Sequence, residues 1–324
     1  MRLDVPRALV GAKDGILVVD KPAGVTSHDV VSAIRRLAAT RKVGHAGTLD
    51  PMATGVLVIG IGKATRLLTF ITGADKEYEA TVVLGASTDT DDAEGEIMEA
   101  PGLLISDDLQ DRIDRELEAL SGEQMQVPTS VSAIKVGGVR AHALHRAGEK
   151  VELQARPVTI SRLERTSDLR TVSVGGVPGV AFDLSVECSS GTYVRAIARD
   201  LGKALGSGGH LSALRRTRVG AWKIDSSTSI NELANFAAAQ TEENAQGIPV
   251  ITLTEACKNQ FASFELELSE AEALRHGNVV NLRPRTPDNE IAACLWKGEV
   301  RALVKRSGDR YKPVLVFSTE PLAR

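Results

Sequence analysis

Cysteine, aromatic side chains and long apolar runs are all scarce in this chain. Its three cysteines, Cys188, Cys257 and Cys294, lie far apart and form neither a CxxC pair nor a disulfide framework, which points to a reducing compartment. No run of about 18 apolar residues occurs, so no membrane helix is expected. The stretch Met1 to Pro6 lacks the apolar segment of a secretory signal, and the expectation is a cytoplasmic protein with no membrane partner. The six histidines show no HExxH or similar spacing, so no metal is expected. Gly62-Lys63-Ala64-Thr65 is the nearest approach to a phosphate-binding loop, and it fails: Leu57 stands where the first glycine belongs, and Ala64 replaces the Ser or Thr. Aromatics make up 3% of the chain and only three are tyrosines. A tyrosine is most often a core residue, but Tyr78 and Tyr193 open regular elements beside charged residues.

What is present is globular in character. Hydrophobic residues make up 43% and charged residues 25% of the 324, a length that suggests roughly two domains. A net charge of −3 does not by itself suggest nucleic acid, but the distribution does. Residues 89–118 hold twelve acids and two bases, 203–223 hold five bases and no acid, and 275–312 hold nine bases against four acids. Such segregation allows a basic face on an acidic protein.

The chain is organised around Gly44-His45-Ala46-Gly47-Thr48-Leu49-Asp50-Pro51-Met52-Ala53-Thr54-Gly55. Glycine lets backbone approach a ligand, and Asp50 is the only acid between Asp29 and Asp75. Alone, the loop supports two readings: a catalytic carboxylate, or Asp50 capping a helix with Pro51 in its first turn. Ile16 to Asp20 reads as a buried strand, His28 to Ala39 as a helix, Val56 to Ile61 as a strand and Lys76 to Gly85 as a half-buried strand with Tyr78 on its apolar side. Asp91 to Gly95 reads as a turn, and Ser106 as the cap of a helix with Leu109, Ile113, Leu117 and Leu120 on its core face. Residues 122–156 read as a basic, mobile insertion outside the core. Pro157 to Thr166 and Ala181 to Cys188 read as strands, the segment after Thr192 and Asn231 to Ala239 as helices, 240–247 as a linker, and the remainder as a small β-rich unit. Strands outnumber the helices a parallel sheet needs, so the expected class is α+β, with a mixed, mostly antiparallel sheet flanked by helices.

The Gly44 to Pro51 loop resembles the catalytic loop of the bacterial TruB family, the pseudouridine synthases acting on uridine 55 in the T loop of tRNA. Lys21-Pro22-Ala23-Gly24, Gly62 to Arg66, Lys76 to Ala80 and Ser190 to Arg195 resemble that family's other motifs, in the same order. The resemblance spans about residues 14–224 and turns the reading of Asp50 from cap to catalytic group. It implies a pseudouridine synthase fold over residues 1–246 with an RNA-gripping insertion at about 122–156, and a PUA-like unit over 247–324 touching the acceptor arm. It implies tRNA as partner, a monomer, and no cofactor, because the isomerisation involves neither redox change nor hydrolysis. It makes Asp50 the catalytic carboxylate, adding to the base or removing a ribose C2′ proton, paired with Arg195. Tyr78 would stack on the flipped uracil and help proton removal at C5, Tyr193 would line the pocket, and His45 would help extrude the base. Lys21, in the Lys21-Pro22-Ala23-Gly24 turn, and Arg215 and Arg216 are the further substrate-binding candidates, and the basic stretches 127–156 and 203–223 are suited to phosphate contacts. The chain departs from the family at Thr129, Val131 and His142. Two other functions fit parts of the pattern. One is a non-catalytic tRNA-binding or folding protein. The other is a glycosidase-like hydrolase, which normally needs two carboxylates where this loop offers one.

Overall fold

The computed structural model describes residues 3–132, 135–136, 138–140, 153–283 and 286–318. In chain order the main elements are β1 (Gly15–Lys21), α1 (Ser27–Leu37), β2 (Val43–Ala46), β3 (Thr54–Ile61), β4 (Lys76–Leu84), α2 (Leu109–Ala119), β5 (Gly122–Gln126), β6 (Arg156–Arg165), β7 (Val177–Cys188), α3 (Val194–Ala204), β8 (Gly209–Val219) and α4 (Ile230–Ala238). There follow α5 (Leu253–Gln260), β9 (Ala262–Glu265), α6 (Leu268–Arg275), β10 (Ile291–Trp296), β11 (Glu299–Ser307) and β12 (Arg310–Val316).

One large sheet carries most of these strands in the order β1-β3-β8-β4-β7-β6-β5. Its pairs are antiparallel except β3 with β8 and the outer pairing of β1 with Thr228–Ser229, which are parallel. The fold is therefore α+β with a mixed, mostly antiparallel sheet, as the ratio of strands to helices predicts. A four-stranded sheet, β9-β10-β11-β12, forms the C-terminal β-rich unit.

Period-two alternation explains the central strands. On β7, Phe182, Leu184, Val186 and Cys188 all face the core, as do Tyr78, Ala80 and Val82 on β4. They pack with Leu109, Ile113 and Leu117 of α2 and Ile197 and Leu201 of α3. Helix α1 is held at its start by a reciprocal cap between Thr26 and Asp29, and its Val30, Ile34 and Leu37 close a second core over Leu17, Val19, Leu57 and Ile59. The C-terminal sheet is fastened to the large one through a third core joining Ile16, Val18 and Val58 to Leu295, Leu303 and Phe317.

Two expectations change. Residues 122–126 are an edge strand paired with Arg156 to Ile160, and Thr129 and Ser132 are buried, so the insertion starts inside the catalytic fold rather than outside it. Most of the remainder of it, with His142, lies outside the described residues. The cap of α2 is Asp108 rather than Ser106, whose Oγ instead bonds Asp108 at 2.6 Å. Ile251–Thr252 pairs with Gly15 and Ile16 at the end of β1.

The parallel contact between β3 and β8 fixes the end of the Gly44 to Gly55 loop. Gly55 sits opposite Arg216 with φ +100, and a Cβ added there would lie 2.2 Å from the Arg216 carbonyl oxygen. No L side chain fits both the torsion and the space. Gly55→Ala is expected to cost at least about 2 kcal/mol, read as a lowered urea midpoint. An unchanged midpoint would mean that the two strands do not meet at this residue.

Among the described residues no helix is long and apolar enough to cross a membrane.

Candidate active site

A cavity of about 260 Å³ opens where the Gly44 to Gly55 loop, β4 and the N-terminus of α3 converge. It is lined by Gly47, Thr48, Leu49 and Asp50 from the loop, Lys76 and Tyr78 from β4, Tyr193 and Arg195 from α3 and Leu214 and Arg216 from β8, among others. It is smaller than the usual drug-sized site, a size suited to a single nucleobase. Among the described residues, Asp50 is the only carboxylate in its lining.

Asp50 is positioned from three sides. Ser27 Oγ receives the Leu49 amide at 2.9 Å and donates to the Leu49 carbonyl at 3.1 Å. Lys21, with no exposed surface, donates from Nζ to the carbonyls of Val25 at 2.8 Å, Pro22 at 2.9 Å and Pro51 at 3.1 Å. Arg216, 1% exposed, donates to the carbonyls of Val56, Thr48 and Gly47. Both residues are built into the loop's support rather than lying free on the surface. Of the two, only Arg216 reaches the cavity lining.

Arg195 is 3% exposed and stands between two carboxylates. Its Nε lies 3.0 Å from Asp50 Oδ2, an ion pair rather than an aligned hydrogen bond. Its Nη1 donates to Asp92 Oδ2 at 2.9 Å and to the Thr90 carbonyl at 2.7 Å, and Nη2 to the Val131 carbonyl at 2.8 Å. Asp92 also accepts from Thr90 Oγ1 at 2.6 Å and the Glu94 amide at 3.1 Å. Its side chain is 5% exposed, whereas that of Asp50 is 35% exposed. Arg195 thus has one carboxylate behind it, sealed from the cavity, and one in front, offered to it. Burial raises the Asp50 carboxyl above its ordinary value, Arg195 pulls it down, and Asp92 pushes it up.

The two phenols are placed by different means. Tyr78 is buried on β4, and burial raises its hydroxyl above the ordinary value while nearby Arg216 opposes that shift. Tyr193 caps α3 and is pinned by Gln126, whose Oε1 accepts the Tyr193 amide at 2.8 Å while Nε2 donates to its carbonyl at 3.1 Å. The approach of α3 to β8 is set by Gly202, where a Cβ would lie 2.2 Å from the Gly208 carbonyl carbon.

Of the residues singled out from sequence, Asp50, Tyr78, Tyr193, Arg195 and Arg216 line the cavity together. His45, Lys21 and Arg215 do not. His45 stands on β2 with its ring edge-on to His28, centroids 5.7 Å apart, and burial lowers its pKa. Arg215 pairs with Asp20 at 2.8 Å, and Arg218 pairs with Glu77 and Glu187. The basic run 215–218 is therefore largely matched within the fold. Arg66 donates to the Val316 carbonyl at 2.7 Å, binding the C-terminal sheet instead of an open phosphate site.

Sequence reading missed Asp92, Gln126 and Lys76. Asp92 looked like one acid of a turn; the left-handed backbone at Asp91, φ 60, and its burial show a built loop. No local signal marks a pairing across 103 residues. Among the described residues no group of three or more His, Cys, Asp or Glu could hold a metal.

Residues 35–194 match the N-terminal domain of TruB family pseudouridylate synthases, and 195–256 match the tRNA pseudouridylate synthase B C-terminal domain. The tRNA pseudouridine synthase B of Arthrobacter sp. (strain FB24) is 49% identical over 311 residues, covering 94% of this chain and 96% of that protein. That of Mycobacterium tuberculosis (strain ATCC 25618 / H37Rv) is 48% identical over 306 residues, covering 94% and 95%. Among solved structures, a chain of a Cbf5-Nop10-Gar1 complex superposes with a TM-score of 0.67 at 24% identity, covering 98% of this chain and 92% of that one. A chain of an H/ACA RNP bound to a substrate RNA containing 2′-deoxyuridine gives 0.65 at 23%, covering 94% and 85%. At such identities these two show a shared fold.

Proposed function

Because the chain belongs to the TruB family of pseudouridylate synthases, we propose that it converts uridine 55 in the T loop of tRNA to pseudouridine. The observation that carries this reading is a base-sized cavity holding one carboxylate, paired to a buried arginine and walled by two phenols. The reaction breaks the C1′–N1 bond of uridine, turns the base and rejoins it through C5, leaving a C5 proton to be removed. The target base must leave its stack to reach the cavity, at a cost of a few kcal/mol. Asp50 is the group that acts on the everted nucleotide. Arg195 holds it oriented and favours its ionised form, with Asp92 supplying the second anion that keeps the guanidinium in place. Tyr78 stacks on the uracil, and its hydroxyl assists loss of the C5 proton. Tyr193 closes the wall. Lys21 and Arg216 keep the loop carbonyls, and so Asp50, in position. His45 and Arg215 contact the RNA outside the cavity. The chain acts as a monomer in the cytoplasm, with residues 1–246 as the catalytic domain and 247–324 as a PUA-like unit meeting the acceptor arm.

The direct test is incubation with an unmodified tRNA transcript followed by mapping of pseudouridine. Modification is expected at position 55 and absent when that uridine is replaced by cytidine. Modification elsewhere, or none, would overturn the assignment. Tyr78→Phe separates stacking from proton transfer: turnover should fall about 10²-fold or more with tRNA affinity within about twofold of wild type. Full turnover by Tyr78→Phe would remove the hydroxyl from the reaction.

A further inference from the structure

We propose that Lys76 is a phosphate-binding residue of the active-site cavity, contacting a phosphodiester that adjoins the everted nucleotide. The inference rests on the reading that the cavity takes a uridine out of an RNA chain. Lys76 lies on β4, two residues before Tyr78, and it lines the cavity although only 6% of it is exposed. Its Nζ donates to the carbonyls of Thr72 at 3.0 Å and Ala74 at 2.7 Å. An ammonium has three N–H donors, so one remains after these two. Arg216 stands next to it: a Cβ placed on Gly47 would lie 3.6 Å from both Lys76 Cε and Arg216 Nη1. Neither cation has a carboxylate in ion-pairing contact among the described residues, whereas Arg162, Arg195, Arg199, Arg215 and Arg218 all do. This wall of the cavity therefore carries two buried positive charges held by backbone carbonyls, with Asp75 and Cys188 acting on Lys76 only from beyond ion-pairing contact.

Such an arrangement is costly when the cavity is empty. Burial lowers the Lys76 pKa to about 8, and the nearby Arg216 charge pushes the same way. Arg216 is accounted for by the loop carbonyls it ties together. Lys76 ties only the turn at Thr72 and Ala74, and Ser190 Oγ already donates to that Thr72 carbonyl at 2.8 Å. Substrate supplies what the wall lacks, an anion. Asp50 and Arg195 engage the base and sugar, so the remaining charge of the nucleotide, its phosphodiester, is left for the Lys76 wall.

The test is a cycle between protein and RNA. Lys76→Met keeps the length and apolar stem of the side chain and removes its charge, and a melting curve beside wild type checks that it folds. Substrates are a T-loop RNA and the same RNA with one neutral methylphosphonate, on the 5′ side of the target uridine in one and the 3′ side in another. Lys76→Met should raise KM on the unmodified RNA about tenfold and reduce the slope of log affinity against log salt by about 0.7. At one of the two positions methylphosphonate should weaken wild type about tenfold and Lys76→Met hardly at all. Equal losses in both proteins at both positions, or an unchanged KM and salt slope in a folded Lys76→Met, would overturn the proposal. Failure of wild type to form pseudouridine in the unmodified RNA would instead overturn the activity on which it rests.

Discussion

Asp50→Asn is expected to abolish pseudouridine formation, with turnover down at least about 10³-fold, while tRNA affinity stays close to wild type. The substitution keeps the shape of the side chain, removes its charge and turns one acceptor oxygen into an amide donor. Among the described residues no other group in the cavity can replace it, because Asp50 is the sole carboxylate in the lining and Asp92 is sealed behind Arg195. Stability should move in the opposite direction. Burial raises the Asp50 pKa in spite of Arg195, so in the folded protein the ionised form is disfavoured. Folded protein then binds more protons than unfolded chain between the ordinary value of 3.8 and the raised one. Stability falls as pH rises through that window and stays lower above it. The asparagine variant escapes this loss, so at neutral pH it should melt no lower than wild type. Thermal melting beside single-turnover kinetics checks both effects. Near-normal turnover by Asp50→Asn, or its unfolding, would remove the aspartate from its assigned role.

Arg195 is expected to give the second large effect, one that divides between activity and stability according to the substitution. Arg195→Ala leaves the buried Asp92 with no paired cation among the described residues and takes a donor from the carbonyls of Thr90 and Val131, of which Thr90 keeps Thr129 Oγ1. Breaking a buried pair from one side costs about 3–5 kcal/mol, enough to unfold much of a marginal protein. Arg195→Lys keeps one positive charge but not the guanidinium fork. A single ammonium cannot reach Asp50, Asp92 and both carbonyls at once. That variant should fold, bind tRNA and lose about 10²-fold or more in turnover. A denaturant titration of Arg195→Ala and the kinetics of Arg195→Lys separate the two contributions. A lysine variant with full activity would show that Asp50 does not depend on the arginine for its orientation.

The parts of this fold legible in sequence are those whose partners are apolar and whose periods are local. Alternation along Lys76 to Leu84 and Ala181 to Cys188 placed both strands, and the 3.6-residue period placed α1 and α3, because each element writes its buried face into its own residues. One inner strand of the sheet, β8, was not legible. Gly206 to Gly209 followed by Arg215, Arg216 and Arg218 looks like an exposed basic loop, since the groups that match those charges come from Asp20, Glu77, Glu187 and backbone carbonyls far away in the chain. Asp92 was lost for the same reason. One missed element did carry a local sign: Thr252 and Glu255 form a capping box that starts α5. Asp50, Tyr78, Tyr193 and Arg195 were found through motif resemblance, and the cavity unites them because loop, strand and helix each deliver one wall. Lys21 and Arg216 read as RNA contacts because lysine and arginine usually face water. Here each is surrounded by carbonyls that only a fully folded loop brings together.

Isomerisation and hydrolysis differ in what leaves the nucleotide, so a mass balance decides between them. With a tRNA transcript carrying tritium at C5 of its uridines, wild-type enzyme should release one tritium for each pseudouridine formed and no free uracil. Free uracil, or tritium release without a new C5–C1′ bond, would contradict an Asp50-dependent rearrangement in this cavity.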